Sequence, residues 1–431
     1  MNAGAVLGLA LMAGQDTLHL GPGTHPGPIV IDRPTVVLGS PGAVVRGPGR
    51  GSVVEIRAPG SVVRGIRIEG SGRDLGGDDA GVMVRADSVV LADLVIRDVL
   101  HGVYVRNARE VSLSRLDIAG PPGLPESETG NGIHLWSSRR VTIAESRIAH
   151  VRDGMFLEYA DSVDVRDNRV DHVRFGLHYM FSHYNRFTRN VFTDNQAGAV
   201  VMNSNGVEMT DNVFAWNTGS RSYGLVLQTA TAPVARGNLI VGNGIGVFFD
   251  NVIRGTFTGN VVAGNWLGLE LFGNSEATRI TDNAILANTF DASGGATAGA
   301  YTWCAGGRGN YWGAAAAGGY DLDGDGVLDV PHRATSPLAE VARRRSGLRL
   351  FLGSPAAAVL EWAERTFPVF RLAGAEDPCP LVAPPEPTML ARLPHAPAGA
   401  GGGRGAQGAA GAAVFAGGLA LFAAARRRRH R

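Results

Sequence analysis

Short bursts of alternating side chains, each opened by a glycine, run along the middle of this chain. The first position after the glycine reads Val103, Ile133, Met155, Leu177, Ala199, Leu225, Val247 and Leu269. The third reads Val105, Leu135, Leu157, Tyr179, Val201, Leu227, Phe249 and Leu271. Side chains alternate across a strand, so these two apolar columns share one buried face. An asparagine recurs in step with them, at Asn168, Asn190, Asn212, Asn238, Asn260 and Asn283. A second often follows five residues later, at Asn195, Asn217, Asn243, Asn265 and Asn288. Asparagine tolerates left-handed backbone and suits tight corners. Stacked on identical corners, asparagines can also bond to one another as ladders. The step is mostly about 22 residues, a solenoid period, and no long segment of 3.6-residue period competes with it. The pattern predicts an all-β chain, a parallel β-helix of about ten coils between residues 53 and 311. The longer steps, at residues 121–130 and 217–223, read as loops inserted from one corner.

The second and fourth strand positions must then point outwards. The second reads Tyr104, His134, Phe156, His178, Val200, Val226, Phe248 and Glu270; the fourth reads Arg106, Trp136, Glu158, Met180, Met202, Gln228, Asp250 and Phe272. An outward stripe this apolar predicts a covered or partner-binding face, with Trp136, Phe156, Val200, Val226 and Phe248 as its members. The stretch GLHYMFSHYN, residues 176–185, places His178 and Met180 two apart on one strand of that face. Met202 falls over Met180 on the next coil, ~4.8 Å away by strand spacing. His183 lies at the following corner, and His134 two coils back. Thioether with imidazole, without cysteine, is the donor set that favours Cu(I) over harder ions. His178, Met180, Met202, His183 and, more remotely, His134 are therefore candidate copper ligands. The plain alternative is that the methionines pack and the histidines are polar surface. A carbohydrate-active enzyme would instead use paired outward carboxylates, and Asp250 and Glu270 lie on neighbouring coils. A purely structural solenoid would need neither set.

Composition narrows this further. Basic and acidic residues balance at 40 against 39, which leaves no nucleic-acid footprint. No phosphate-binding loop of the GxxxxGKS type occurs, so any ATP use belongs to a partner. Two cysteines, Cys304 and Cys379, lack zinc-site spacing and are open to forming one disulfide in an oxidising compartment. DLDGDGVLD, residues 321–329, alternates Asp321, Asp323 and Asp325 around glycines, with Asp329 as a later candidate calcium ligand. This is the start of a calcium loop, although His332 stands where a bidentate glutamate would close it. Residues 355–365 read as a helix with Ser354 as N-cap and an apolar face that includes Val359 and Leu360. That helix either caps the last coil or docks on a partner. Residues 1–14 are apolar, as in a shortened export signal. Residues 15–313 form the solenoid, 314–383 a cap with the Asp-rich loop and helix, and 384–410 a flexible linker. Residues 411–431 read as a membrane anchor ending in a basic block, Arg426 to Arg429.

RFGLHYMFSHYNRFTRNVF (174–192), GAVVMNSNGVEMTDN (198–212), GNYWG (309–313), YDLDGDGVLDVPH (320–332) and SPLAE (336–340) together resemble the NosD family. The resemblance covers roughly residues 21–385 and implies a right-handed parallel β-helix in the periplasm. It further implies a non-enzymatic role in assembling the multi-copper centre of nitrous oxide reductase. An ABC-type ATPase and a membrane permease would be its partners. Copper would arrive from a lipoprotein chaperone and pass to the apo-reductase. The weak leader and the added C-terminal anchor depart from the family pattern.

Overall fold

The computed structural model describes residues 16–121, 123–219, 222–294, 300–335, 337–344, 351–352, 354–367 and 374–385. The leader at 1–14, the linker beyond residue 385 and the anchor at 411–431 lie outside the described residues.

Every strand pairing along the solenoid is parallel. One sheet stacks twelve strands, from Ile29–Ile31 through Phe175–Met180 to Phe290–Ser293. Two further stacks of short strands begin at Asp16–Leu20 and Gly23–Pro26 and end at Tyr301–Thr302 and Tyr311–Trp312. The long strands Val90–Arg97 and Ser112–Ala119 each run through both of these stacks. The result is a parallel β-helix of about 13 turns among the described residues. The expected ten was low because the first turns carry glycine corners, such as Gly23, Gly42 and Gly49, instead of asparagine.

The two apolar columns line the bore. Leu177, Tyr179, Ala199, Val201 and Leu225 are fully buried, with Tyr179 donating its hydroxyl to the Ser182 carbonyl at 2.7 Å. The strand glycines are there for closeness of approach. A Cβ on Gly176 would lie 2.5 Å from the Gly198 carbonyl and 2.7 Å from the Phe192 ring.

The corners refine one expectation. The left-handed residue is the one before each asparagine: Asp167, Arg189 and Asp211 have φ of 59°, 53° and 56°. The asparagine itself turns inwards and is buried. Asn168, Asn190, Asn212, Asn238, Asn260 and Asn283 each donate Nδ2–H to the Oδ1 of the next coil's asparagine at 2.8–3.1 Å. Each backbone N–H donates to the same oxygen. Buried backbone and side-chain polar groups thus satisfy one another in one continuous column. The second series, through Asn217, Asn243, Asn265 and Asn288, forms a parallel ladder. Both long insertions, at 121–130 and 217–223, leave from the corner that the second ladder marks.

The far end is plugged. Trp303, Trp312 and Tyr301 close the bore with Ala334 and Ala375. A Cys304–Cys379 disulfide ties the last turn to the segment 75 residues later. The asparagine column ends there, where Asn310 donates backbone and side-chain N–H to Asp377 Oδ2 at 2.7 and 3.2 Å. Helix Pro337–Arg344 lays Ala339 and Ala342 against Leu267 and Phe290 on the outer face. Helix Pro355–Thr366 is N-capped by Ser354, whose Oγ accepts from Ala357 N–H at 3.3 Å. It does not close the bore; it leans on helix Pro337–Arg344 and leaves Val359 and Leu360 exposed. No helix among the described residues is long and apolar enough to cross a membrane.

Candidate functional site

The outward face of the twelve-stranded sheet carries a column of rings in strict register. Tyr104, His134, Phe156 and His178 are Cα partners on four successive strands. Their ring centroids lie 4.3, 4.7 and 4.4 Å apart, with Phe156 and His178 stacked face to face. The stripe is less open than a bare face. Val200 and Val226 are buried against Phe175, Met202, Tyr223 and Phe248, and Trp136 packs beside Tyr104 under the Arg106 guanidinium. Trp136, Phe156 and Phe248 stay half-buried at its surface.

His178 has a built environment. Its Nδ1 lies 2.9 Å from Asp153 Oδ2, on the neighbouring coil. A carboxylate only accepts, so Nδ1 carries the proton and Nε2 keeps a lone pair for a ligand. Arg174 fixes the same carboxylate from the start of the His178 strand, with Nε and Nη2 at 2.8 and 2.6 Å. Burial pushes the Asp153 carboxyl up, but the hydrogen bonds from His178 and Arg174 outweigh it and hold it below the usual carboxylate range. The insertion at 121–130 adds an outer clasp, since Glu126 meets Arg174 Nε at 3.5 Å and accepts from Gln196 Nε2 at 3.1 Å. Carboxylate, imidazole and open lone pair form the arrangement in which a second residue orients a metal ligand.

Met180 and Met202 are Cα partners on adjacent strands, and Met180 lies on the same strand and face as His178. The three residues expected from sequence therefore lie on one outward face of two adjacent coils. His183 does not join it directly. The chain turns through Phe181, at φ 49°, and His183 Nδ1 accepts from Asn205 N–H at 3.2 Å around that corner. His134 is also held apart, with the Phe156 ring between it and His178. Burial depresses His134 to about 3, and its buried Nε2 has no hydrogen-bond partner among the described residues. His101, unforeseen from the spacing, lies 5.7 Å from His134 by ring centroid. Burial brings His101 down to about 4. Its Nδ1 accepts from Asn131 N–H at 3.0 Å, so its proton sits on Nε2 and it is not set up as an Nε2 ligand.

The other constellations have their own places. Asp250 is held by two amides, accepting from Gln228 and Asn274 at 2.9 and 2.8 Å. Glu270 is buried one column away, opposite Phe248 and Ser293. Neither therefore offers an open acid–base pair. Asp321, Asp323 and Asp325 bring ligand oxygens within 4.8 Å of one another. Asp321 accepts from Gly324 and Gly326 N–H, which pre-shapes the turn. Asp329 braces it by accepting from Leu322 N–H at 2.8 Å.

The partners of His178 were missed in sequence because Asp153 and Arg174 precede the strand glycine, outside the columns that alternate. The signal was available at position 153, which reads Asp where the next coils have Phe175 and Ala197.

Residues 109–317 match the model of the NosD family, described as a periplasmic copper-binding protein. A probable ABC transporter binding protein NosD of Stutzerimonas stutzeri is 28% identical, across 88% of this chain and 89% of its own length. The protein of the same description from Pseudomonas aeruginosa is 30% identical, across 89% of this chain and 92% of its own. This chain belongs to the NosD family. Among solved structures, a mannuronan C-5 epimerase A-module of Azotobacter vinelandii aligns at 13% identity with a TM-score of 0.40, over 67% of this chain and 91% of that one. A periplasmic alginate epimerase aligns at 11% identity with a TM-score of 0.43, over 65% and 73%.

Proposed function

We propose that this NosD-family chain is a periplasmic, non-enzymatic accessory protein that holds copper on its outer sheet face during assembly of the nitrous oxide reductase copper centre. The observation that carries the proposal is the Asp153–His178 hydrogen bond, which leaves His178 Nε2 as a ready donor beside the Met180–Met202 pair. One imidazole and two thioethers suit Cu(I), which is cargo here rather than a resident cofactor. Asp153 and Arg174 orient the imidazole, and the surrounding Phe156, Phe175 and Val200 limit water. His183 and His134 flank this set, one around the corner and one behind Phe156, as places for copper to pass.

The partners follow from the same reading. Copper would come from a lipoprotein chaperone and leave to the apo-reductase, with an ABC-type ATPase and permease supplying the energy step. The half-buried Trp136, Phe156 and Phe248 are the residues on this face through which a partner would approach, while Val200 and Val226 support them from below. The Asp321, Asp323 and Asp325 loop would take calcium as a structural ion, with Asp329 bracing the turn. The apolar tail at 411–431 would keep the protein beside the membrane.

The test is an anaerobic Cu(I) titration of the full chain against a competing chelator. One tight equivalent that weakens in His178→Ala, Met180→Ala and Met202→Ala supports the site. Binding unchanged in all three would reduce this face to a docking surface.

A further inference from the structure

Away from the outer-face site, one corner of the solenoid stacks two more histidines. His150 and His172 occupy the same corner position on adjacent coils, each just after paired residues Ala149 and Asp171. Both adopt left-handed backbone, with φ of 56° and 57°, so their side chains leave the corner in the same way. Their ring centroids are 5.1 Å apart with the planes tilted by 41°. Both residues are exposed.

The second ring is already oriented. His172 Nδ1 lies 2.9 Å from Asp171 Oδ2, so Nδ1 holds the proton and Nε2 presents a lone pair. Asp171 is buried, only 6% of its side chain being exposed, and Arg169 Nε lies 3.3 Å from its other oxygen. A buried carboxylate that fixes an exposed imidazole serves no evident packing purpose, and it is how metal-binding histidines are held. Asp194 takes the same corner position one coil further on and adds negative charge beside the pair.

We propose that His150 and His172 form a second metal site, taking a divalent imidazole-preferring cation such as Zn(II), with water completing its shell. Two nitrogen donors and no sulfur separate it chemically from the thioether site. It is also separate in position, at the corner before the strand that carries His178, and it does not depend on the copper proposal.

Zn(II) alone is titrated into the full chain against a chromophoric competitor, with folding of every variant checked by circular dichroism. The wild type is expected to hold one equivalent that His150→Ala and His172→Gln lose. Asp171→Asn should keep the equivalent with affinity lowered by about 10- to 100-fold, the usual effect of removing an orienting partner. His178→Ala should leave it intact, and His172→Gln should leave Cu(I) binding at the outer face intact. Zn(II) binding equal in the wild type, His150→Ala and His172→Gln overturns the site. Loss of the equivalent in His178→Ala alone also overturns it, by moving the zinc to the outer face.

Discussion

The Asp153 carboxylate receives His178 Nδ1–H at 2.9 Å from the next coil and is gripped from its other side by Arg174. One buried acid thus sets both the tautomer and the direction of the candidate ligand. Asp153→Asn is expected to weaken Cu(I) binding by about 10- to 100-fold, because the amide no longer fixes the proton on Nδ1. His178→Ala should weaken it more, and Met180→Leu should do so without disturbing Asp153. Competition titrations on the three variants check the order; equal affinity for wild type and Asp153→Asn would detach the carboxylate from the metal.

Acid should destabilise the solenoid in a defined window. Burial depresses His101 and His332 to about 4 and His134 to about 3, against 6.5 for a free imidazole. The folded pKa values are the lower ones, so between pH 6.5 and about 4 the unfolded chain binds protons that the folded chain refuses. The stabilisation is complete above pH 6.5 and drains away as pH falls, by about 1.4 kcal/mol per pH unit for each histidine. Denaturant midpoints at pH 7.5, 6.0 and 5.0 should fall steadily, and His134→Phe should flatten the slope by one histidine's share. A midpoint independent of pH across that range would contradict the buried neutral imidazoles.

Asn212→Ala tests the ladder. The side chain donates to Asn238 Oδ1 and the Phe187 carbonyl, and accepts from both N–H groups of Asn190. Its loss strands several buried polar groups, each costing about 1–3 kcal/mol. The expected destabilisation is about 3 kcal/mol or more, read as a drop in denaturant midpoint. Asn251→Ala, at a half-buried corner outside the ladders, should cost far less.

Reduction of Cys304–Cys379 tests the plug. The bond closes a span of 75 residues, for which chain entropy alone predicts about 4 kcal/mol of stabilisation. Cys304→Ser with Cys379→Ser should lower the melting temperature and speed hydrogen exchange at Asn310 and Trp312, which lean on Asp377. Exchange as slow as in the wild type would mean that Asp377 holds the plug without the disulfide.

The period-two columns made the bore legible, because burial forces every inward position to be apolar regardless of coil. Asparagine spacing made the ladders legible for the same reason, since a buried amide demands an identical neighbour. The site was only half legible. His178, Met180 and Met202 follow from alternation within strands, whereas Asp153 and Arg174 reach them from positions before the glycine. His101 was hidden similarly, at the start of strand His101–Arg106. The first turns were missed because Gly42 and Gly49 supply left-handed corners without any asparagine to announce them.

The asparagine column also has a direction. From one asparagine to the next, each amide donates to its C-terminal neighbour's Oδ1 and accepts from the coil before it, from Ser146 N–H at Asn168 through to Asn310. Such a chain can be lengthened or shortened by whole coils anywhere along its middle, since each link presents the same donors and the same acceptor. Its last member must accept without passing anything on, and Asp377 does so, taking Asn310 and the Trp312 indole together. The residue that ends the sequence of amides is thus a full stop written in a different chemical alphabet, and it marks where the stack of coils stops.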